Sequence, residues 1–295
     1  MKGFVNINKP SGMTSSDVVV KVRGILRRVT GEKQKVGHLG TLDPLGRGVL
    51  PIAVGNATRL FDYMQEKVKV YRATFVFGKT TDTLDSDGIV TQTSTVLPTR
   101  AQIEQIADNM HGFIDQLPPM YSAKSVNGVR AYDLARQGIE VELKTKRVNI
   151  FYVKLCDFDE KGNPYGLAQN EYAFEIACSS GTYIRSIARD MAQALGSVGY
   201  MSSILRIKSG EFTLEDSVSL DDFEKEPLRY MKSMDFALSS FERYNLDDRY
   251  IEKVLNGVRV KLSDLPKGNF CLYVKGEPFG IAEDIDGTLR VKVRV

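Results

Sequence analysis

The 295-residue chain is 42% hydrophobic and 26% charged, with a formal net charge of +3; this is ordinary globular composition, long enough to bury a core without cross-links. Two histidines, His38 and His111, and three well-separated cysteines, Cys156, Cys178 and Cys271, exclude a multi-histidine metal site and argue against a disulfide framework or a zinc cluster. No apolar run is long enough to span a bilayer and the opening lacks an apolar signal core, so a soluble cytoplasmic protein with no membrane contact is expected.

Residues 1–10 alternate apolar and polar side chains like a strand, and Pro10-Ser11-Gly12-Met13 reads as a turn. Thr14 or Ser15 then caps a helix with Val18, Val19, Val22, Ile25, Leu26 and Val29 at helical spacing. Lys21, Arg23, Arg27, Arg28, Lys33 and Lys35 crowd its other face and the residues beyond, opposed only by Glu32. Residues 36–50 are rich in glycine and read as a loop. A strand is predicted over 68–77, with Tyr71, Ala73, Phe75 and Phe77 on one face and Val68, Val70, Arg72, Thr74 and Val76 on the other. Asp85-Ser86-Asp87-Gly88 is turn chemistry. A helix follows over 99–110, stopped by Leu117-Pro118-Pro119.

Residues 172–178 form a further predicted strand. Gly181 opens a helix over 182–195, with Ile184, Ile187, Ala188, Met191 and Leu195 on one stripe and Gly196 as its C-cap. The stretch holding Glu211, Glu215, Asp216, Asp221, Asp222, Glu224 and Glu226 leads to a helical connector ending near 241. Short strands at 270–274, 280–282 and 289–295, with a tight turn at Asp286-Gly287, make a small all-β module. Strands and helices interleave without a regular βα repeat, which implies an α+β fold with a mixed sheet flanked by helices.

The densest candidate chemistry is Gly37-His38-Leu39-Gly40-Thr41-Leu42-Asp43-Pro44-Leu45-Gly46-Arg47-Gly48-Val49-Leu50-Pro51. Its glycines allow sharp turns and close approach to a ligand, and Pro44 holds Asp43 in an extended conformation. Asp43 is either a partly desolvated carboxylate able to act as nucleophile or base, or a turn aspartate bonded to its own backbone. Arg185 lies in the first turn of a helix, where a cation opposes the helix dipole. Either a carboxylate compensates it or it stays solvated. Tyr71, beside Arg72, is a nucleobase platform or a core tyrosine. Phe77-Gly78-Lys79-Thr80 lacks the glycine cradle of a phosphate loop, and Pro51 replaces the third glycine of a dinucleotide pattern begun at Gly46-Arg47-Gly48. The surviving chemistry is cofactor-free, metal-free and built on a carboxylate.

The segment Gly37 to Leu45, with Gly48-Val49-Leu50-Pro51, resembles the signature of the bacterial TruB-type tRNA pseudouridine-55 synthases. So do Asn8-Lys9-Pro10-Ser11-Gly12, Lys69-Val70-Tyr71-Arg72, Thr81 to Gly88, Pro119-Met120-Tyr121-Ser122-Ala123-Lys124, Tyr132 to Gly138 and Ser180-Gly181-Thr182-Tyr183-Ile184-Arg185. The resemblance implies a pseudouridine synthase fold, a mixed and mostly antiparallel sheet flanked by helices, over residues 1–241, with an RNA-clamping insertion near 119–148. A PUA-like RNA-binding module would follow over 242–295. It implies that Asp43 is the catalytic aspartate, that Tyr71 stacks on the flipped uracil, and that Arg185 pairs with Asp43. His38 would fill the place of the extruded base, Asp85, Tyr183 and Leu205 would line the uridine pocket, and Lys9 and Lys124 would contact substrate.

The chain departs from the family pattern at Asn8, where Asp is usual, and at Gly46-Arg47, where Ala-Thr is usual. These departures touch RNA grip and leave Asp43 and Arg185 intact. The expected activity is isomerisation of uridine 55 in the T-loop of tRNA by a monomer that needs no cofactor and no protein partner. A non-catalytic tRNA-folding role and a guide-RNA-dependent role inside a ribonucleoprotein are the competing readings.

Overall fold

A computed structural model describes residues 1–65, 67–122, 125–126, 129–130, 143–157 and 170–295. The chain forms two compact units. One consists of Met1–Asp43, Val49–Glu66 and Gly210–Val295, the other of Pro44–Gly48 and Lys67–Ser209.

In the first unit the opening residues form the strand Gly3–Lys9, beside the strand Arg47–Val54. The helix Ser15–Thr30 starts at a capping box in which Thr14 and Asp17 satisfy each other's backbone N–H groups, and it ends at Gly31 with φ 72°, a left-handed conformation that glycine adopts without a Cβ penalty. Val18, Val19, Val22, Ile25 and Leu26 are buried as the spacing predicts. Val29, on the same stripe but in the last turn and past the covered part of the helix, is 47% exposed. The glycine-rich stretch expected as a loop is partly sheet. Val36–His38 is a strand pairing antiparallel with Arg47–Val54, Val36 opposite Val54 and His38 opposite Ile52. Partners supplied by tertiary structure override the local glycine signal there.

The expected connector contains two short helices, Leu220–Lys225 and Met234–Leu238. The C-terminal strands form one five-stranded sheet in the order Arg243–Asn245, Asn269–Val274, Glu277–Ile285, Thr288–Arg294, Val260–Lys261. Asp286 and Gly287 both take positive φ, 51° and 75°, as a tight hairpin turn requires. A helix the sequence reading did not anticipate, Asp248–Leu255, buries Ile251 and Val254 against this sheet's core. Cys271, Tyr273 and Ile281 share a second core with Phe4, Leu39 and Val49. The sheet therefore packs on N-terminal residues of the same unit.

In the second unit the strands run in the order Gly199–Ser209, Lys69–Phe77, Glu171–Cys178, Lys146–Cys156, Gly112–Gln116, every neighbour antiparallel. Arg47 and Gly48 add a short parallel pairing with Leu205 and Arg206. The sheet is mixed and mostly antiparallel, as expected. Two of its longest strands, Lys146–Cys156 and Gly199–Ser209, lie where no strand was predicted. The helix Arg100–Asn109 opens with a Thr99–Gln102 capping box, and Ile184–Ala194 buries Ile184, Ile187, Ala188 and Met191. Phe75 and Phe174 stack with ring centroids 4.8 Å apart on adjacent strands. Among the described residues no helix is long and apolar enough to cross a membrane.

Candidate active site

Lys9, His38 and Asp43 belong to the first unit. Lys9 ends the opening strand fully buried, and its Nζ donates to the carbonyls of Pro10 at 2.9 Å and Met13 at 2.5 Å. The ammonium thereby closes the turn that leads into the first helix. Half-buried His38 is the last residue of its short strand. Asp43, also half-buried, follows a residue that is pinned twice. The Ser15 hydroxyl donates to the Leu42 carbonyl at 3.0 Å and accepts from the Leu42 N–H at 2.8 Å. The first turn of the helix thus anchors the backbone next to Asp43, which adds a fixed point to the stiffness that Pro44 supplies.

Tyr71, Asp85, Tyr183, Arg185 and Leu205 belong to the second unit. Arg185 is 5% exposed, in the first turn of the helix Ile184–Ala194. Its Nη1 lies 3.2 Å from Asp85 Oδ2 and donates to the Thr83 carbonyl at 2.9 Å, and its Nη2 donates to the Tyr121 carbonyl at 3.1 Å. The charge that opposes the helix dipole is therefore compensated inside its own unit. Asp85 is held in turn: Asp85 Oδ1 accepts from the Thr83 hydroxyl at 2.5 Å and from the Asp87 N–H at 3.1 Å. Leu84, with φ 60°, turns the chain just before it.

Tyr183 precedes this helix and is fixed through its backbone. Gln116 accepts the Tyr183 N–H at 2.8 Å and donates to its carbonyl at 3.1 Å. Tyr71 is 6% exposed, opposite Ile176 on one side and Arg206 on the other. Leu205, 5% exposed, occupies the neighbouring strand and faces Arg72 in register. The structure thus brings Arg185 against Asp85 and sets Tyr71 and Leu205 on adjacent strands. Lys124 lies outside the described residues, as does the segment 131–142 within the expected insertion.

The sequence reading missed two buried cations. Lys69, 4% exposed, lies two residues before Tyr71 on the same strand face, opposite Cys178. Arg206 is fully buried opposite Tyr71. Burial, reinforced by the Arg206 charge, pulls the Lys69 ammonium down from 10.5 to about 8, while burial pushes the Cys178 thiol up to about 11. Strand periodicity could have flagged Lys69, because it shares the face of Tyr71, Ala73 and Phe75. Arg206 gave no such signal, since its strand was not recognised.

Comparison with known proteins identifies the class. A model described as "TruB family pseudouridylate synthase (N terminal domain)" matches residues 27–184, more than half of the chain. The fold is that of a pseudouridine synthase, an isomerase that acts on uridine in RNA. A relative from Clostridium kluyveri, named tRNA pseudouridine synthase B, is 41% identical over 95% of this chain and 94% of its own length. Another of that name, from Geobacillus kaustophilus, is 40% identical over 92% of this chain and 96% of its own. The chain belongs to the TruB family. Its fold also resembles a chain in the crystal structure of a Cbf5-Nop10-Gar1 complex, with a TM-score of 0.70 at 23% identity over 99% of this chain and 83% of that one.

Proposed function

We propose that this pseudouridine synthase isomerises uridine 55 in the T-loop of tRNA, with Asp43 as its acting carboxylate. The observation that carries the reading is the near end-to-end match, at 41% identity, to a relative named tRNA pseudouridine synthase B. The reaction breaks the N1–C1′ bond, turns the uracil and rejoins C5 to C1′; C5 then gives up its proton and N1 takes one up, with no redox change and no external group. Extruding the base costs a few kcal/mol, which a ring for stacking and a side chain in the vacated space offset. Tyr71 takes the first role and assists proton handling, and His38 takes the second.

In this reading Arg185, oriented by its own neighbours, pairs with Asp43 and holds the carboxylate at the uracil. Asp85, Tyr183 and Leu205 line the pocket, and Lys9 and Lys124 support substrate binding. Residues 1–241 carry catalysis and residues 242–295 act as a PUA-like RNA grip. The enzyme works in the cytoplasm as a monomer, with neither cofactor nor protein partner.

The test is incubation of purified protein with an unmodified tRNA transcript, followed by mapping of pseudouridine. Wild type should modify position 55 unaided and Asp43→Asn should leave no product. Modification elsewhere, a requirement for a partner protein or guide RNA, or undiminished product with Asp43→Asn would defeat the proposal.

A further inference from the structure

We infer that the first helix and the residues just after it form a track for the phosphodiester backbone of RNA outside the stem–loop that carries the target uridine. The inference rests on the tRNA reading above and extends the contact to the rest of the substrate. The helix Ser15–Thr30 spends its apolar face on Val18, Val19, Val22, Ile25 and Leu26, so its cations emerge on the solvent side. Lys21, Arg27, Lys33 and Lys35 are exposed. Among the described residues none of these four makes an ion pair. Arg23 reaches across, its Nη2 donating to the Val36 carbonyl at 3.2 Å, which ties the helix to the strand that Lys35 enters and that ends on His38. A line of positive charge thus runs from the last turn of the helix toward the residue proposed to fill the vacated base position.

Nearby carboxylates give the track an edge without neutralising it. The helix Leu220–Lys225 packs Leu220 and Phe223 into the same core as Val18 and Val22, and its Glu224 takes Arg28. Asp222 is committed to Ser219 and Lys225, and Asp17 to the helix cap. A bland solvated face would show cations and carboxylates interspersed. Here Arg27, Lys33 and Lys35 stand uncompensated with one exposed carboxylate, Glu32, among them, while Lys21, just under two turns before Arg28, shares the side that the acidic helix takes through Glu224.

The experiment uses the full chain carrying Arg27→Gln, Lys33→Gln and Lys35→Gln together. Binding is measured against salt for a full-length tRNA transcript and for the isolated T stem–loop. For full-length RNA the log–log salt slope should fall by roughly 2–3, because each lost phosphate contact removes a little under one unit. A fourfold rise in salt should then weaken wild type roughly 16- to 64-fold more than the variant. Stem–loop binding and its single-turnover rate should stay at wild-type values. An unchanged slope with full-length RNA overturns the inference, and so does equal weakening with both substrates. Competition by polyglutamate as effective as that by RNA of equal charge would also overturn it, by pointing to an acidic protein as the occupant. Absence of product from wild type with either substrate would instead sink the tRNA reading, because the binding readout does not depend on turnover.

Discussion

Replacing Asp85 by Asn removes one charge from a buried ion pair and almost nothing else. The Arg185 and Asp85 side chains are only 6% and 8% exposed, with 3.2 Å between the charged atoms. Deleting one partner of such a pair costs about 3–5 kcal/mol, chiefly because the other charge stays buried. Arg185 keeps its bonds to the Thr83 and Tyr121 carbonyls. The asparagine oxygen can still accept from the Thr83 hydroxyl and the Asp87 N–H, so the low end of the range, about 3 kcal/mol, is expected. Equilibrium urea unfolding should show a lower midpoint at unchanged slope, and the melting temperature should drop by roughly 6–12 °C. The double variant with Arg185→Met removes both charges and should cost less than the two single losses combined, by about 2 kcal/mol. A single variant within about 1 kcal/mol of wild type, or strict additivity in the double, would refute the claim that this pair acts as a unit.

Lys69→Met should stabilise the protein near neutral pH. The folded chain binds the Lys69 proton less tightly than the unfolded chain, about 8 against 10.5, so the full penalty, roughly 3 kcal/mol, is present below pH 8. Between pH 8 and 10.5 the unfolded chain holds more proton, wild-type stability recovers, and the advantage of the variant should fade; an advantage constant across that window would contradict the assignment. Gly48→Ala should cost about 3 kcal/mol or more in urea unfolding, because its Cβ would lie 2.3 Å from the Arg206 carbonyl oxygen and 2.7 Å from Leu205 Cδ1 at φ +97°. A loss under about 1 kcal/mol would show that the backbone there yields easily. Tyr273→Phe deletes the 2.5 Å hydrogen bond to Asp235 and should cost about 1.5–3 kcal/mol, as for a bond to a charged acceptor; unchanged unfolding would mean that water replaces it.

Much of the fold is legible where the signal is local. Thr14 and Thr99 announce helix starts through side chains that bond the backbone three residues on, and Asp286-Gly287 announces a hairpin through its need for positive φ. The strand Gly199–Ser209 escaped because its meaning is tertiary. It pairs with Lys69–Phe77 through two register shifts, between Met201 and Ser203 and between Arg206 and Lys208, and each bulge breaks the period-2 alternation that marks a strand. The strand Arg47–Val54 hid in a glycine-rich stretch for a related reason: its pairing with Val36–His38 depends on contacts that composition does not reveal.

The site divides along the same line. That Arg185 needs a carboxylate follows from its place in the first turn of a helix, and this much can be argued from sequence. Which carboxylate lies beside it within the second unit cannot, because the turn at Thr83–Asp85 and the helix start at Ile184 are a hundred residues apart and are joined only by folding. The resemblance assigned Asp43 to Arg185 and Asp85 to the pocket wall. The structure adds a bond between Arg185 and Asp85 that fixes the guanidinium through one oxygen of Asp85, while the other is held by Thr83 and Asp87. A guanidinium already oriented by a buried carboxylate and two carbonyls loses little further freedom when it engages another charge. That is the condition under which a fixed cation stabilises developing negative charge more effectively than a mobile one. If Arg185 does act on Asp43, the Asp85→Asn protein should remain able to bind RNA and yet turn over slowly. A variant that turned over at the wild-type rate with Arg185 so loosened would show that orientation of this guanidinium is not what the reaction uses.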